Sequence, residues 1–358
     1  MNMLQRPDKP DFQRFLTAIR GGCPDRVPVA EAAVHNATKA AILGRPIRSL
    51  ADDVAFWEKA GYDFVCLFSG ILDPALSLSA ERRLGARDDR YDKAPTEREW
   101  SHKETGQIAS MTDFQAYPWP SVDDLVPAHL TDVAQYLPGG MKVIAMTGKI
   151  FTATWQLMGF ESFGLAIYDS PELVEAIFDR VTRLQVAGYE RICDLETIGG
   201  LWFSDDVAHS DGPLVSPKIL RKYLFPAYTR MVNMAHEAGK IAIYHSDGRL
   251  WRFLDDIMAC GFDALHPIEP KAMDIVETRQ RTQGKLSLIG NIDLDFPLTR
   301  GSPEDVRTQV RERIAALAPA GGYLVGSSNS IPDWVPVQNY VAMLQAVFDL
   351  GRYPIALS

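Results

Sequence analysis

His245 and Asp247, within the run IAIYHSDGRL at 241–250, are the residues best placed for chemistry. Ile241–Tyr244 is an apolar run of strand length, and residues two apart on a strand point to the same side. His245 and Asp247 therefore face one pocket, while Gly248 lets the chain turn. An imidazole and a carboxylate so placed act as ligands of a divalent metal or as an acid/base pair. The plainer alternative is a packed histidine followed by an Asp that caps the next helix.

The same grammar, an apolar run breaking into polar residues, recurs along the chain. Glu31 and His35 follow Val27–Ala30, Ser69 follows Phe64–Phe68, and Thr147 and Lys149 follow Val143–Met146. Asp205, Asp206 and His209 follow Leu201–Ser204; His266 and Glu269 belong to the run Ala264–Ile268 and its end. Asn291 and Asp293 come after Leu286–Ile289, and Ser327, Ser328 and Asn329 after Tyr323–Gly326.

Such a list needs elements that bring it to one place. With Ile241–Tyr244 the apolar runs make eight strand candidates. Helix-type spacing fills Ile42–Ala60, Ser170–Thr197, Ser216–Ala238, Arg249–Cys260, Ala272–Gln283, Ser302–Leu317 and Pro336–Phe348. Ser170-Pro171, Ser216-Pro217 and Ser302-Pro303 share one start signal: Ser caps the helix, and Pro occupies the first turn, where no N–H is needed. Alternating strands and helices without a GxGxxG turn predict a (β/α)₈ barrel as one domain over 1–358. Leu78–Pro120, rich in charge, turn residues and aromatics, interrupts the rhythm and is expected to be an inserted hairpin or lid.

In such a barrel the chemistry sits where the strands end. The expected catalytic set is Asp205, His245, Asp247, Glu269 and Asn291, and a zinc ion would draw its ligands from His245, Asp247, Asp205 and Glu269. The same groups can do acid/base work without a metal. Substrate contacts are expected from Glu31, His35, Trp155, Trp202, Tyr244, Ser328 and Asn329, with the aromatics suited to an aryl methyl ether or a quaternary ammonium. Each has a structural alternative. Asp206 serves equally as a loop cap, His266 before Pro267 as a packed strand end, Asn291 and Asp293 as an Asx-turn, and the aromatics as core.

Composition narrows the partners. The 358 residues carry a net charge of −9 and no dense Lys/Arg run, which argues against nucleic acid. Cys23, Cys66, Cys193 and Cys260 lack metal-type or disulfide-type spacing and read as reduced thiols. With no apolar leader and no apolar run of spanning length, a cytoplasmic protein without membrane contact is expected.

The order Asp205-Asp206, Gly212–Pro217, His245-Ser246-Asp247-Gly248, Gly290-Asn291-Ile292-Asp293, Ser327-Ser328-Asn329 and Pro336–Tyr340 resembles the uroporphyrinogen decarboxylase superfamily. Pro24-Asp25-Arg26-Val27-Pro28 also fits, so the resemblance covers nearly the whole chain and implies a (β/α)₈ barrel. It implies one of two activities: cofactor-free decarboxylation of porphyrinogen acetates, or methyl transfer to or from corrinoid proteins or coenzyme thiols. The decarboxylases carry an Arg-containing segment after the first strand that grips substrate carboxylates; here the matching stretch, 30–36, is Ala-Glu-Ala-Ala-Val-His-Asn. The thiol-methylating members hold zinc with His-x-Cys and a strand-eight Cys; here Asp247 and Ser327-Ser328-Asn329 stand in those places. Oxygen ligands make a harder, more Lewis-acidic site, suited to an ether or amine. The expectation is therefore a zinc-assisted methyltransferase moving a methyl group from an O- or N-methyl substrate to a corrinoid protein. No DxHxxG pattern occurs, so cobalamin would arrive on that partner. Porphyrinogen decarboxylation ranks second and a catalytically silent binding barrel third; homodimerisation is left open.

Overall fold

A computed structural model of the chain describes Leu4 and residues 8–69, 106–122 and 125–356. Nine strands are present among them: β1 (Phe64–Phe68), β2 (Lys142–Thr147), β3 (Ile198–Ser204), β4 (Ala208–His209), β5 (Gly212–Pro213), β6 (Ile241–His245), β7 (Ala264–His266), β8 (Ser287–Ile289) and β9 (Tyr323–Leu324). Seven form one parallel sheet in the order β1-β2-β3-β6-β7-β8-β9, and β4 and β5 form a small antiparallel hairpin. Sequential order with helices between neighbours gives a (β/α)₈ barrel, its strands buried on both faces and hence continuously apolar.

The first expected strand, Val27–Ala30, is the departure. Only a parallel bridge, Val29 to Val325, forms there, with the Ala30 amide donating to the Val325 carbonyl at 2.8 Å and the Val325 amide to the Pro28 carbonyl at 3.0 Å. Pro28 has no N–H, which removes a rung from the ladder. The segment lies against β9 as the eighth stave.

Other corrections follow from Gly and Pro. The stretch Ile42–Ala60 is two helices, Asn36–Leu43 and Leu50–Lys59, separated where Gly44 takes φ 82° and Pro46 follows. Ser216–Ala238 likewise divides into Pro217–Tyr223 and Phe225–Glu237, with Pro226 in the first turn of the second. Ser216 accepts from the Lys218 amide and Ser302 forms a capping box with Asp305, whereas Ser170 makes no side-chain cap bond. Most of the expected insertion Leu78–Pro120 lies outside the described residues; its last part carries the helix Met111–Ala116. Among the described residues no helix is long and apolar enough to cross a membrane, and three of the four free cysteines are buried.

The end of the barrel where strands begin is closed by ion pairs. Arg14 meets Asp25 and Asp63, each at 2.6 Å, and Arg26 meets Asp63 at 3.6 Å. Arg14, Arg26 and Asp63 are all buried there, next to the first residues of β1 and of the Val27 segment.

Candidate metal-binding site in the barrel mouth

Parallel register brings the ends of β3, β6 and β7 side by side. Ser204 pairs with His245 and His245 with His266, and the Asp205 amide continues the ladder by donating to the His245 carbonyl at 3.1 Å. Beyond the strand ends, the Asp247 amide donates to Asp206 Oδ1 at 2.8 Å. The His245 Nε2 atom lies 3.7 Å from Asp206 Oδ1 and 4.0 Å from Asp247 Oδ1. One donor atom from each of Asp206, His245 and Asp247 falls within 4.8 Å of the others, which suits a single divalent cation.

Asp205, expected at this point, faces the other way. On β3, Trp202 turns its ring against His266 inside the barrel, so Asp206 shares that side, while Phe203 packs outward on Tyr228. Asp205 follows Phe203 outward: its carboxylate accepts from the amides of Ile150, Phe151 and Thr152 at 2.8–2.9 Å and from the Tyr228 hydroxyl at 2.5 Å. It thereby caps the helix Phe151–Met158, whose own N-cap, Ile150, has no side chain able to do so. Burial pushes its pKa up to about 6 against the pull of these donors. The uncapped apolar helix start was the signal that a cap comes from elsewhere in the chain.

Behind the cluster, His245 Nδ1 lies 2.7 Å from His266 Nδ1, the two rings 4.9 Å apart and tilted by 30°. Burial lowers the pKa of both, opposed at His245 by Asp206 and reinforced by Lys149. Desolvation thus works against a second proton on either ring. His266 Nε2 and Trp202 Nε1 are buried polar atoms with no hydrogen-bond partner among the described residues.

Next to the cluster, and sharing Asp247 with it, lies a cavity of about 370 Å³. Asp247, Glu269, Asp293 and Asp295 line it together with Lys271, Ser328, Asn329 and Trp334. Glu269 accepts from the Ser210 hydroxyl at 3.3 Å and the Gly248 amide at 3.1 Å, and Asn329 Nδ2 donates to Asp247 Oδ2 at 2.6 Å. Ser328 Oγ receives the Leu294 amide at 3.0 Å, and Asp295 pairs with Arg300 at 2.6 Å.

The remaining expected residues lie away from this cavity. Asn291 is buried, its Nδ2 donating to the Ile268 carbonyl at 2.7 Å and its Oδ1 accepting from Arg313 at 3.0 Å. Tyr244 neighbours His245 and so points outward, stacking on Phe262 and donating to the Asp205 carbonyl at 3.0 Å. Trp202 is core, Trp155 packs edge-on against Phe160, and His35 caps the helix Asn36–Leu43 through Nδ1. Glu31 is fully buried, accepting the Ser327 amide at 2.6 Å and the Ser327 hydroxyl at 2.7 Å, and burial raises its pKa to about 8.

Comparison with known proteins agrees with this architecture. The chain is 24% identical over 265 residues to a uroporphyrinogen decarboxylase of Alkalilimnicola ehrlichii, covering 69% of this chain and 68% of that protein. It is also 24% identical over 358 residues to the methylated-thiol–coenzyme M methyltransferase of Methanosarcina mazei, covering 93% of this chain and 88% of that one. A solved methyltransferase from Methanosarcina mazei superposes with a TM-score of 0.68 at 17% identity, over 94% of this chain and 97% of the other, and so shares the fold. The family model for uroporphyrinogen decarboxylase (URO-D) matches residues 11–350, and the chain belongs to that family.

Proposed function

We propose that this protein is a methyltransferase that moves a methyl group from an O- or N-methyl compound to a corrinoid carried by a separate protein. The observation that carries the proposal is the Asp206/His245/Asp247 cluster, which shares Asp247 with an acid-lined cavity. Similarity to a methyltransferase along 93% of the chain supports it. A polycarboxylate porphyrinogen would meet Asp247, Glu269, Asp293 and Asp295, and residues 30–36 offer no Arg to grip it. Porphyrinogen decarboxylation is disfavoured by that excess of like charge, which Lys271 and Arg300 offset only at Asp295.

The donor set fits a divalent metal of the zinc type. One imidazole nitrogen and two carboxylates lie close together, and the buried imidazole turns its Nε2 to the carboxylates. A metal held by His245, Asp206 and Asp247 would polarise the heteroatom that carries the methyl group. Asn329 holds the Asp247 carboxylate in place, and the Ser210 hydroxyl and Gly248 amide hold Glu269 at the cavity wall. Glu269 is positioned to give a proton to the departing heteroatom. In the overall transfer the carbon–heteroatom bond breaks with its electrons left on the heteroatom, which takes up a proton. The reduced corrinoid of the partner supplies the electron pair that receives the methyl group.

The test combines metal analysis of the purified protein with assay of cob(I)alamin methylation from methoxyaromatics and methylated amines. Zinc at one equivalent and methylcobalamin formation are expected. Coproporphyrinogen formation from uroporphyrinogen, above a heat-killed control, would overturn the proposal in favour of the decarboxylase.

A further inference from the structure

The contact between His245 and His266 carries an inference that rests on the metal-site reading above. Their Nδ1 atoms are 2.7 Å apart, a distance that requires one proton between them, with one nitrogen donating and the other accepting. Both rings are buried, and with one proton on each ring the shared proton belongs to one Nδ1 or the other. Two arrangements satisfy this. In the first, His245 Nδ1–H donates to His266 Nδ1; His245 Nε2 then presents a lone pair toward Asp206 and Asp247, and the His266 proton resides on Nε2. In the second, His266 Nδ1–H donates to His245 Nδ1; the His245 proton then sits on Nε2, and the ring can no longer bind a cation.

We infer that His266 is a positioning residue: by accepting at Nδ1 it holds His245 in the tautomer whose Nε2 lone pair faces Asp206 and Asp247. Conversion of the second arrangement into the first moves one proton from His245 Nε2 and delivers one to His266 Nε2, the shared proton crossing between the Nδ1 atoms. Nothing is gained or lost in sum. Metal-ligating histidines are commonly oriented by an acceptor on the other ring nitrogen. Here a second imidazole fills the role of the usual carboxylate or carbonyl, and it adds no charge behind the site. The T-shaped packing of Trp202 on His266, at 89° and 4.9 Å between centroids, fixes the orientation of the accepting ring.

The experiment measures zinc affinity by competition with a chromophoric chelator, and the visible spectrum of the cobalt(II)-substituted protein, for wild type, His266→Leu and His266→Asn. Asn keeps an acceptor oxygen near the Nδ1 position, whereas Leu keeps only bulk. The expected result is a 10–100-fold loss of affinity and an altered cobalt spectrum for His266→Leu, with most of the loss recovered in His266→Asn. Equal affinity in wild type and His266→Leu would overturn the inference, as would equal losses in both variants, which mark a packing role. Should His266→Leu fail to fold, ¹⁵N NMR of the zinc-loaded wild type decides: the proton is expected on Nδ1 of His245 and on Nε2 of His266, and the reverse placement would overturn it. A wild type that binds neither zinc nor cobalt refutes the metal-site reading itself, and this inference with it.

Discussion

The two ends of the barrel each bury carboxylates, and they treat them in opposite ways. Where strands begin, Asp63 is 1% exposed and lies against two guanidinium groups, Arg14 at 2.6 Å and Arg26 at 3.6 Å. Where strands end, Glu31 is as deeply buried but is held by a neutral amide and a neutral hydroxyl of Ser327. At the same end of the barrel Asp206 and Glu269 accept from backbone amides, Asp206 beside an imidazole and Glu269 at an open cavity. One end cancels its charge and so can only be structural. The other keeps acidic groups that a cation or a proton can answer, which is what a site requires.

The sharpest way to break this contrast is to remove the imidazole at the mouth. His245→Ala should bring zinc content to background and abolish cob(I)alamin methylation while the protein keeps its circular dichroism. Full metal occupancy in that variant would mean that the cation sits elsewhere. At the opposite end Arg14→Ala is the matching change. It leaves Asp25 and Asp63 short of a partner and should cost about 3–5 kcal/mol in urea unfolding. Zinc affinity of the folded variant should not change. A drop in affinity would show that the two ends are coupled and the division of labour false.

Much of this division was legible in the sequence, because both ends are set by where strands start and stop. β1 has the boundaries its apolar run predicts, and the starts of β6, β7 and β9 at Ile241, Ala264 and Tyr323 also agree. Strands buried on both faces are written as unbroken apolar runs, so they are easily found. What the run does not reveal is direction. Asp205 and Asp206 are adjacent, one serves the helix layer and the other the mouth, and only the side on which Phe203 packs tells them apart. Tyr244 and His245 pose the same question one strand later. His266 was visible as a strand-end histidine, but its partner across β6 follows from register, a long-range property.

Glu31 sharpens the contrast through pH. Its folded pKa is raised to about 8 from an ordinary 4.5, so folding takes up a proton between those values. Its contribution to stability is present in full below pH 4.5 and is lost as pH rises through about 8. Between pH 5 and pH 8 the loss should amount to a few kcal/mol, at roughly 1.4 kcal/mol per unit of displacement. Glu31→Gln mimics the neutral acid and should flatten this part of the stability profile, leaving the variant more stable than wild type at pH 8. Asp63→Asn, by contrast, should destabilise at pH 8, because its charge has partners. Parallel slopes for wild type and Glu31→Gln would show that Glu31 is ionised in the folded protein.

Asp205 gives the smallest effect and the finest test, because it stands at a strand end beside Asp206 yet turns away from the mouth to serve the helix layer. Its two oxygens take up the three amides at the start of helix Phe151–Met158 and the Tyr228 hydroxyl. Asn is the same shape, but it replaces one acceptor oxygen with an amide group that only donates. At least one buried donor is then left facing another, at a cost of about 1–3 kcal/mol. Asp205→Asn should therefore lower the urea midpoint while the folded protein keeps the zinc affinity of wild type, since the metal is assigned to Asp206. Glu269→Gln should do the reverse, slowing methyl transfer with little change in the midpoint, because Glu269 lines the cavity and caps no helix. If Asp205→Asn instead lost zinc at an unchanged midpoint, the carboxylate that turns toward the helix would be the ligand, and the assignment of the two neighbouring aspartates would have to be exchanged.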